Sequence, residues 1–496
     1  MSGNMDFLME TPEATSPHTT KESSNFRSQK KQWFASISAT LSMVAVGTVY
    51  GWTTTILDRL QRGDKDVPVQ ITLFQSEWIV SLTVIATMFG SFLGAFLSDI
   101  FGRKICLLCS SFFFIIGWLN IIFAGNIIAL YAARIISGVG VGMSYTTNPM
   151  YVSEIADTNI RGALGTLIAI NVFTGSLLTC SIGPYVSYTN LGIILLIVPI
   201  LFVATFIWFP ESPYYLAMKN RNDAAAQSIA FFKNININKA REELELIRNN
   251  INETQEQSEN IKMKIHRLLS YNNRKAFIIV LFLIVTQQFS GNFTTMQYLT
   301  GLFTQARIGI DPNIATIFVV AVGLVSGTLA TMTVERAGRR KLLMISTFSC
   351  ALSLFILAIY LYLDHIQINL IKINILPVIV IVLFQIAYQI GLGTLPNALI
   401  GELFPTNAKS VAAAGITISD GILGFAVSKF YLEIEHSLGG YSLYFFFAGS
   451  CALAFIFVII CIPETKNKSF SEIQEELSQS EFRYFKNSNN QRKVVA

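Results

Sequence analysis

Twelve apolar runs recur along this chain, each long enough to cross ~30 Å of hydrocarbon as a helix of roughly 20 residues. They lie at about 33–57, 77–100, 105–124, 128–150, 163–187 and 190–209, then at about 275–303, 313–333, 341–363, 372–400, 409–433 and 441–462. Lipid offers no hydrogen-bond partners, so runs of this length must satisfy their own backbone as helices. The fold class expected is an all-α membrane protein with twelve transmembrane helices. Composition agrees: 52% of the 496 residues are apolar and 14% charged, where a soluble domain carries about 25% charge.

Charge placement sets the orientation. The first 32 residues are polar, include Lys21, Arg27, Lys30 and Lys31, and lack the short apolar core of a cleavable signal, so the amino terminus is expected in the cytosol. From that start, only Arg59, Arg62, Lys65, Arg307 and Lys372 of the 36 Lys and Arg fall in exoplasmic loops, while Arg134 and Lys429 fall within spans. The positive-inside bias fixes parity as well, because one span fewer would put Arg336, Arg339, Arg340 and Lys341 outside. The expected organisation is a cytosolic tail at 1–32, a six-helix bundle at 33–209, a cytosolic helical linker at 210–274, a second six-helix bundle at 275–462 and a cytosolic tail at 463–496. A net charge of +5 is too small to indicate nucleic acid as a partner. All six cysteines lie in apolar stretches, too few for a disulfide scaffold, and the Cys106, Cys109 pair lacks the polar company of a metal site, so no metal is expected.

Three motifs occur twice, in the same order. Asp99-Ile-Phe-Gly102-Arg103-Lys104 is echoed by Glu335-Arg-Ala-Gly338-Arg339-Arg340, each between the second and third span of its half. Glu154-Ile-Ala-Asp-Thr-Asn-Ile-Arg161 is echoed by Glu402-Leu-Phe-Pro-Thr-Asn-Ala-Lys409, and Pro210-Glu211-Ser212 by Pro463-Glu464-Thr465. The chain therefore reads as two related six-helix bundles, an arrangement that places a solute site between the halves near the bilayer midplane. Every copy sits at a cytosolic helix end, where a guanidinium fork can bind a carboxylate through paired hydrogen bonds. Asp99, Arg103, Glu154, Arg161, Glu211, Glu335, Arg339, Glu402, Lys409 and Glu464 are expected to form a charge latch that pairs across the halves when the cytosolic side is closed and separates when it opens.

These motifs, together with Gly94-Ala-Phe-Leu-Ser-Asp99, Tyr151-Val-Ser-Glu154, Arg161-Gly162, Pro210-Glu211-Ser212-Pro213, Gln287-Gln288-Phe-Ser290-Gly291 and Pro463-Glu464-Thr465-Lys466, resemble the sugar-porter branch of the major facilitator superfamily over about 33–477. Gly51-Trp52-Thr-Thr and the stretch from Gln287 to Tyr298 are most similar to insect facilitated trehalose transporters and their paralogues. The resemblance implies a major facilitator fold and facilitative sugar transport by alternating access in the plasma membrane, with no covalent chemistry and no cofactor. The partners expected are a small neutral sugar and the lipid bilayer, with the protein acting as a monomer.

A neutral sugar calls for uncharged donors and acceptors beside an apolar or aromatic face. Gln288, Asn292 and Thr295 of the seventh span are spaced i, i+4, i+7 on one helical face, with Gln287 adjacent, and amides at lipid depth face the protein interior. Tyr298 stands where the family carries a gating tyrosine. The tenth span, Tyr388-Gln389-Ile-Gly391-Leu-Gly393-Thr-Leu-Pro396-Asn397, is interrupted by Gly and Pro, which suits a hinge; Gln389 and Asn397 are its candidate lining residues. Ala169, Phe293 and Gly323 replace amides of the hexose transporters, and Asn397, Asp420 and Gly421 replace Trp, Asn and Trp, which suits a larger solute such as trehalose.

Asp420 is a carboxylate inside a span, and such groups are functional candidates by default. Its possible roles are ion pairing, proton coupling or cation binding. Lys429 lies nine residues on, roughly the opposite helical face, which makes a poor partner. Two alternatives to facilitated diffusion follow: a proton-coupled symporter of a polar solute using Asp420, or a non-transporting sugar sensor.

Overall fold

The computed structural model describes residues 26–256, 271–404, 406–466, 468 and 472. The side chains of Glu335 and Lys409, two of the expected latch positions, lie outside the described set. No strand occurs among the described residues, and twelve helical segments are long and apolar enough to cross a membrane. The first half comprises α1 (Phe26–Arg62), α2 (Leu73–Phe101), α3 (Arg103–Ile122), α4 (Ile127–Ile155), α5 (Arg161–Ile182) and α6 (Tyr188–Phe206). Three further helices follow: α7 (Pro213–Met218), α8 (Asn222–Lys233) and α9 (Ile237–Glu256). In the second half the seventh span is broken into α10 (Tyr271–Phe289) and α11 (Asn292–Gln297), continued by α12 (Leu299–Gln305). Then come α13 (Pro312–Ala337) and α14 (Arg339–His365), a tenth span broken into α15 (Leu376–Ile390) and α16 (Leu395–Leu403), and finally α17 (Thr406–Leu438) and α18 (Gly440–Cys461).

Alternation of the helices gathers Arg103 and Arg339 at one end of the molecule, the basic face, and leaves the opposite end as the far face. Three of the helices that start at the far face, α2, α4 and α13, are capped by side chains. Thr72 and Gln75 form a capping box on α2, Asn126 accepts from the Ala129 amide at 2.9 Å, and Asp311 accepts from the Asn313 amide at 2.8 Å. Each satisfies an orphan N–H that lipid headgroups would otherwise have to serve.

The distribution of apolar cores shows how the halves meet. Toward the far face a single cluster runs through both, joining Trp52, Ile56 and Leu60 of α1 to Leu299, Leu302 and Phe303 of α12. Toward the basic face the clusters are separate. One, around Ala35, Leu107, Tyr151 and Phe206, belongs to the first half; the other, around Ile279, Leu343, Leu399 and Val458, belongs to the second. The two halves thus share a core at the far face and part toward the basic face.

In the segment after α6, the described helices α7–α9 pack on one another and on the first half. Tyr215, Leu216, Ala225, Ile229, Ala240 and Leu244 of α7–α9 form their own buried cluster, and Phe232 enters the core of the first half. Lys233 reaches Asp157 at 3.4 Å and also pairs with Glu243, while the Ser228 hydroxyl donates to the Glu211 carbonyl at 2.7 Å. These helices are therefore fastened to the basic face of the first half.

Candidate functional site

Between the halves lies a chamber of about 500 Å³, within the ~300–1,000 Å³ of small-molecule sites. Its walls come from both halves: Tyr50 of α1, Thr87 and Ser91 of α2, Tyr145 of α4, Phe173 and Ser176 of α5, and on the other side residues of α10, α11, α15, α16 and α17. Gln287, Gln288, Asn292, Asn397 and Asp420, all singled out from sequence, line it. Gln288 Nε2 donates to Asp420 Oδ1 at 2.6 Å, Asn292 Nδ2 donates to Gln385 Oε1 at 2.8 Å, and Gln287 Nε2 donates to the Gly393 carbonyl at 3.3 Å. Tyr50 meets Phe293 edge-on at 5.4 Å, so aromatic surface from both halves borders the same space.

Three expected lining residues stand elsewhere, each for a geometric reason. Gln288 and Asn292 face the chamber from either side of Gly291, whose φ of +68° is left-handed and breaks the helix, and beyond the break α11 presents Phe293, Met296 and Gln297 to the chamber in place of Thr295. Thr295 consequently turns to α18, its hydroxyl 3.4 Å from that of Tyr444. Tyr298 is buried at the far face, stacked on Tyr431 of α17 with ring centroids 4.9 Å apart. On α15 the chamber face carries Gln385 and Tyr388; Gln389, one residue and about 100° further round, lies against Gly327 of α13.

Sequence reasoning missed Gln385 and the aromatic walls of Tyr50 and Phe173. Gln385 was a findable amide at span depth, whereas an aromatic in an apolar run carries no such mark. The chamber is also not uncharged, because Asp420 opens into it.

The doubled motifs build two copies of one charge cluster at the basic face. In the first, Arg103 Nη2 lies 3.1 Å from Glu154 Oε1 and its Nη1 3.4 Å from Asp99, Ser212 Oγ donates to Glu154, and Glu211 accepts from the amides of Arg103 and Lys104 at 3.1 and 3.0 Å. In the second, Arg339 Nη2 lies 3.0 Å from Glu402 Oε1, Thr465 Oγ1 donates to Glu402 at 2.5 Å, and Glu464 accepts from the Arg339 amide at 2.9 Å. Gly102 and Gly338, with φ of +103° and +87°, make the turns that aim these helix N-termini at the carboxylates, a natural anion seat. Burial pushes the Glu211 carboxyl up, against the amides of Lys104, Ser212 and Arg103 that favour its ionised form.

Among the described latch residues, Arg103 pairs with Glu154 and Arg339 with Glu402, each within its own half. Arg161 donates to the Ala156 carbonyl at 3.4 Å. Two polar contacts between the halves lie at the far face: Lys429 of α17 pairs with Glu77 of α2, and Thr54 Oγ1 of α1 donates to the Met296 carbonyl at 3.0 Å. Arg134 is buried in the first half, donating to the Val49 and Ile79 carbonyls and to Thr53.

Two repeated six-helix bundles around a polar chamber, joined at one face and parted at the other, define a membrane transporter of the major facilitator type. The family described as "Sugar (and other) transporter" matches residues 19–477, and the chain belongs to that family. Among its relatives, the facilitated trehalose transporter Tret1 of Bombyx mori is 29% identical over 449 residues, covering 90% of this chain and 87% of that one. Tret1 of Apis mellifera ligustica is 27% identical over 449 residues, covering 90% and 88%. In fold, the chain is similar to the inward open conformation of the xylose transporter XylE from E. coli, with a TM-score of 0.72 and 21% identity over 90% of this chain and 98% of that one.

Proposed function

We propose that the protein equilibrates a neutral sugar, trehalose or a hexose, across the plasma membrane by facilitated diffusion, working as a monomer with both termini in the cytosol. The basic face is then cytosolic, and the conformation described is open inward. The observation that carries this reading is the chamber itself, where Gln287, Gln288, Asn292, Gln385 and Asn397 offer uncharged hydrogen-bonding groups beside Tyr50 and Phe293. Amides satisfy hydroxyls in either direction, and an aromatic face covers the apolar side of a sugar ring. The similarity to facilitated trehalose transporters of insects supports trehalose as the first solute to test.

Rocking of the halves would close the basic face and release the contacts of the far face, with the ten motif residues serving as the cytosolic latch. Asp420 in the chamber wall favours one other reading, proton-coupled symport. Uptake of labelled trehalose, glucose and a polyol into proteoliposomes, with and without a pH gradient, decides between them. Equilibration without accumulation supports facilitated diffusion, accumulation driven by the gradient supports symport, and absence of any uptake removes the transport reading.

A further inference from the structure

Asp420 is the one charged side chain among the described residues that line the chamber. No Lys, Arg or His lies in that lining to balance it. Two cations within spans are committed elsewhere: Lys429, on the same helix, pairs with Glu77 beside the rings of Phe74 and Trp78, and Arg134 donates to carbonyls and Thr53 within the first half. What holds Asp420 is the Gln288 amide, on one of its two oxygens, at 2.6 Å. While the halves are parted, water can solvate the other oxygen. Once the chamber closes around a solute, that solvation is lost, and a buried carboxylate with a single neutral donor is unfavourable unless the solute brings compensation.

A neutral sugar brings hydroxyl donors only. A sugar whose ring carries a protonated amine brings hydroxyls and a positive charge on one compact frame. Gln287, Asn292 and Gln385 would meet its hydroxyls, Tyr50 and Phe293 its ring, and Asp420 its ammonium. We infer that the chamber also takes amino sugars, with Asp420, positioned by Gln288, as the group that selects the ammonium. This inference rests on the sugar-transport reading above and extends its substrate class from neutral to cationic sugars.

The test compares glucosamine with its neutral N-acetyl derivative, with glucose and with trehalose in proteoliposomes holding the full-length protein. Glucosamine uptake is expected to exceed that of N-acetylglucosamine by about tenfold, the scale of a hydrogen bond to a charged partner. An interior-negative membrane potential should accumulate it, because uniport of a cation moves charge. In Asp420→Asn the ratio of glucosamine to glucose uptake should fall by about tenfold, and Asp420→Glu should restore it. Competition in the wild-type protein, with glucosamine inhibiting glucose uptake more strongly than N-acetylglucosamine does, tests the same preference without a variant. Equal handling of the amine and its N-acetyl derivative, or an unchanged ratio in Asp420→Asn, overturns the inference while leaving neutral sugar transport standing. Glucose accumulation driven by a pH gradient and lost in Asp420→Asn overturns it too, since the carboxylate then carries a proton in place of an ammonium. No uptake of any of the four sugars overturns the transport reading and this inference together.

Discussion

Lys429 of α17 reaches across the boundary between the two halves to Glu77 of α2, and the side chains are 11% and 4% exposed. The ammonium also lies 4.4 Å from the centroid of Phe74 and 5.2 Å from that of Trp78. Such a pair offsets the cost of burying two charges only while the far face stays closed. Removing one partner leaves the other charge buried alone, at a cost of roughly 3–5 kcal/mol. Glu77→Gln and Lys429→Gln should each shift the protein toward a far-face-open conformation, and the exchanged pair Glu77→Lys with Lys429→Glu should reverse the shift. A cysteine at Thr54 reports it by labelling with an impermeant maleimide from outside. Labelling that stays at the wild-type rate in both single variants would show that the pair does not hold this face shut.

The two basic-face clusters predict a matched loss of stability. Arg103 sends Nε and Nη2 to one oxygen of Glu154, and Arg339 does the same to Glu402. A lysine keeps the charge but not the planar fork, so Arg103→Lys and Arg339→Lys should destabilise nearly as much as substitution by Gln. Hydrogen bonds to charged groups contribute about 1.5–3 kcal/mol, enough to lower the melting temperature of the purified transporter measurably. If the lysine variants melt with the wild type, charge alone suffices and the repeated fork geometry has no stabilising role.

Placement around the break at Gly291 can be checked with paired substitutions. Gln288→Leu removes a chamber amide and the donor to Asp420, and Asn292→Leu removes the donor to Gln385; each should reduce sugar uptake by about tenfold or more. Thr295→Val, turned toward Tyr444, should stay within about twofold. Equal losses at positions 288 and 295 would mean that the helical face runs unbroken through Gly291.

Much of the architecture was legible because its causes are local. Twelve apolar runs are compelled by lipid, and the doubled motifs declare the two halves. The amides of α10 declare the chamber because polar groups at that depth must face inward. What remained hidden depended on geometry that spacing does not encode. One left-handed residue, Gly291, carried Thr295 off the expected face. Glu77 and Lys429 are separated by 352 residues, so no local pattern could pair them, although Lys429 was already an evident misfit within its span. The charged residues of the doubled motifs were readable as a set, but their partners were not: the Gly102 and Gly338 turns bring each Arg to the Glu of its own half.

Asp66, in the loop between α1 and α2, gives a prediction in pH. Its carboxylate accepts from Arg59 Nη2 at 2.5 Å and from the Tyr188 amide at 2.8 Å, while Arg59 Nη1 also donates to the Gly183 and Val186 carbonyls at 3.0 and 3.1 Å. This corner ties the far-face end of α1 to the start of α6. Burial works against ionisation of Asp66, but the Tyr188 amide and the Arg59 guanidinium outweigh it and hold the carboxyl below its usual value. A depressed folded-state pKa contributes stability that is present above the unfolded value of about 3.9 and is lost as pH falls through the folded value. Asp66→Asn should therefore melt below the wild type at neutral pH, and the gap between the two should narrow as the pH is taken below about 4. Melting curves in detergent at a series of pH values measure that gap. A gap that stays constant into strong acid would assign the effect of Asp66 to shape or hydrogen bonding alone, and the ionised carboxylate would lose its role as the fastening between α1 and α6.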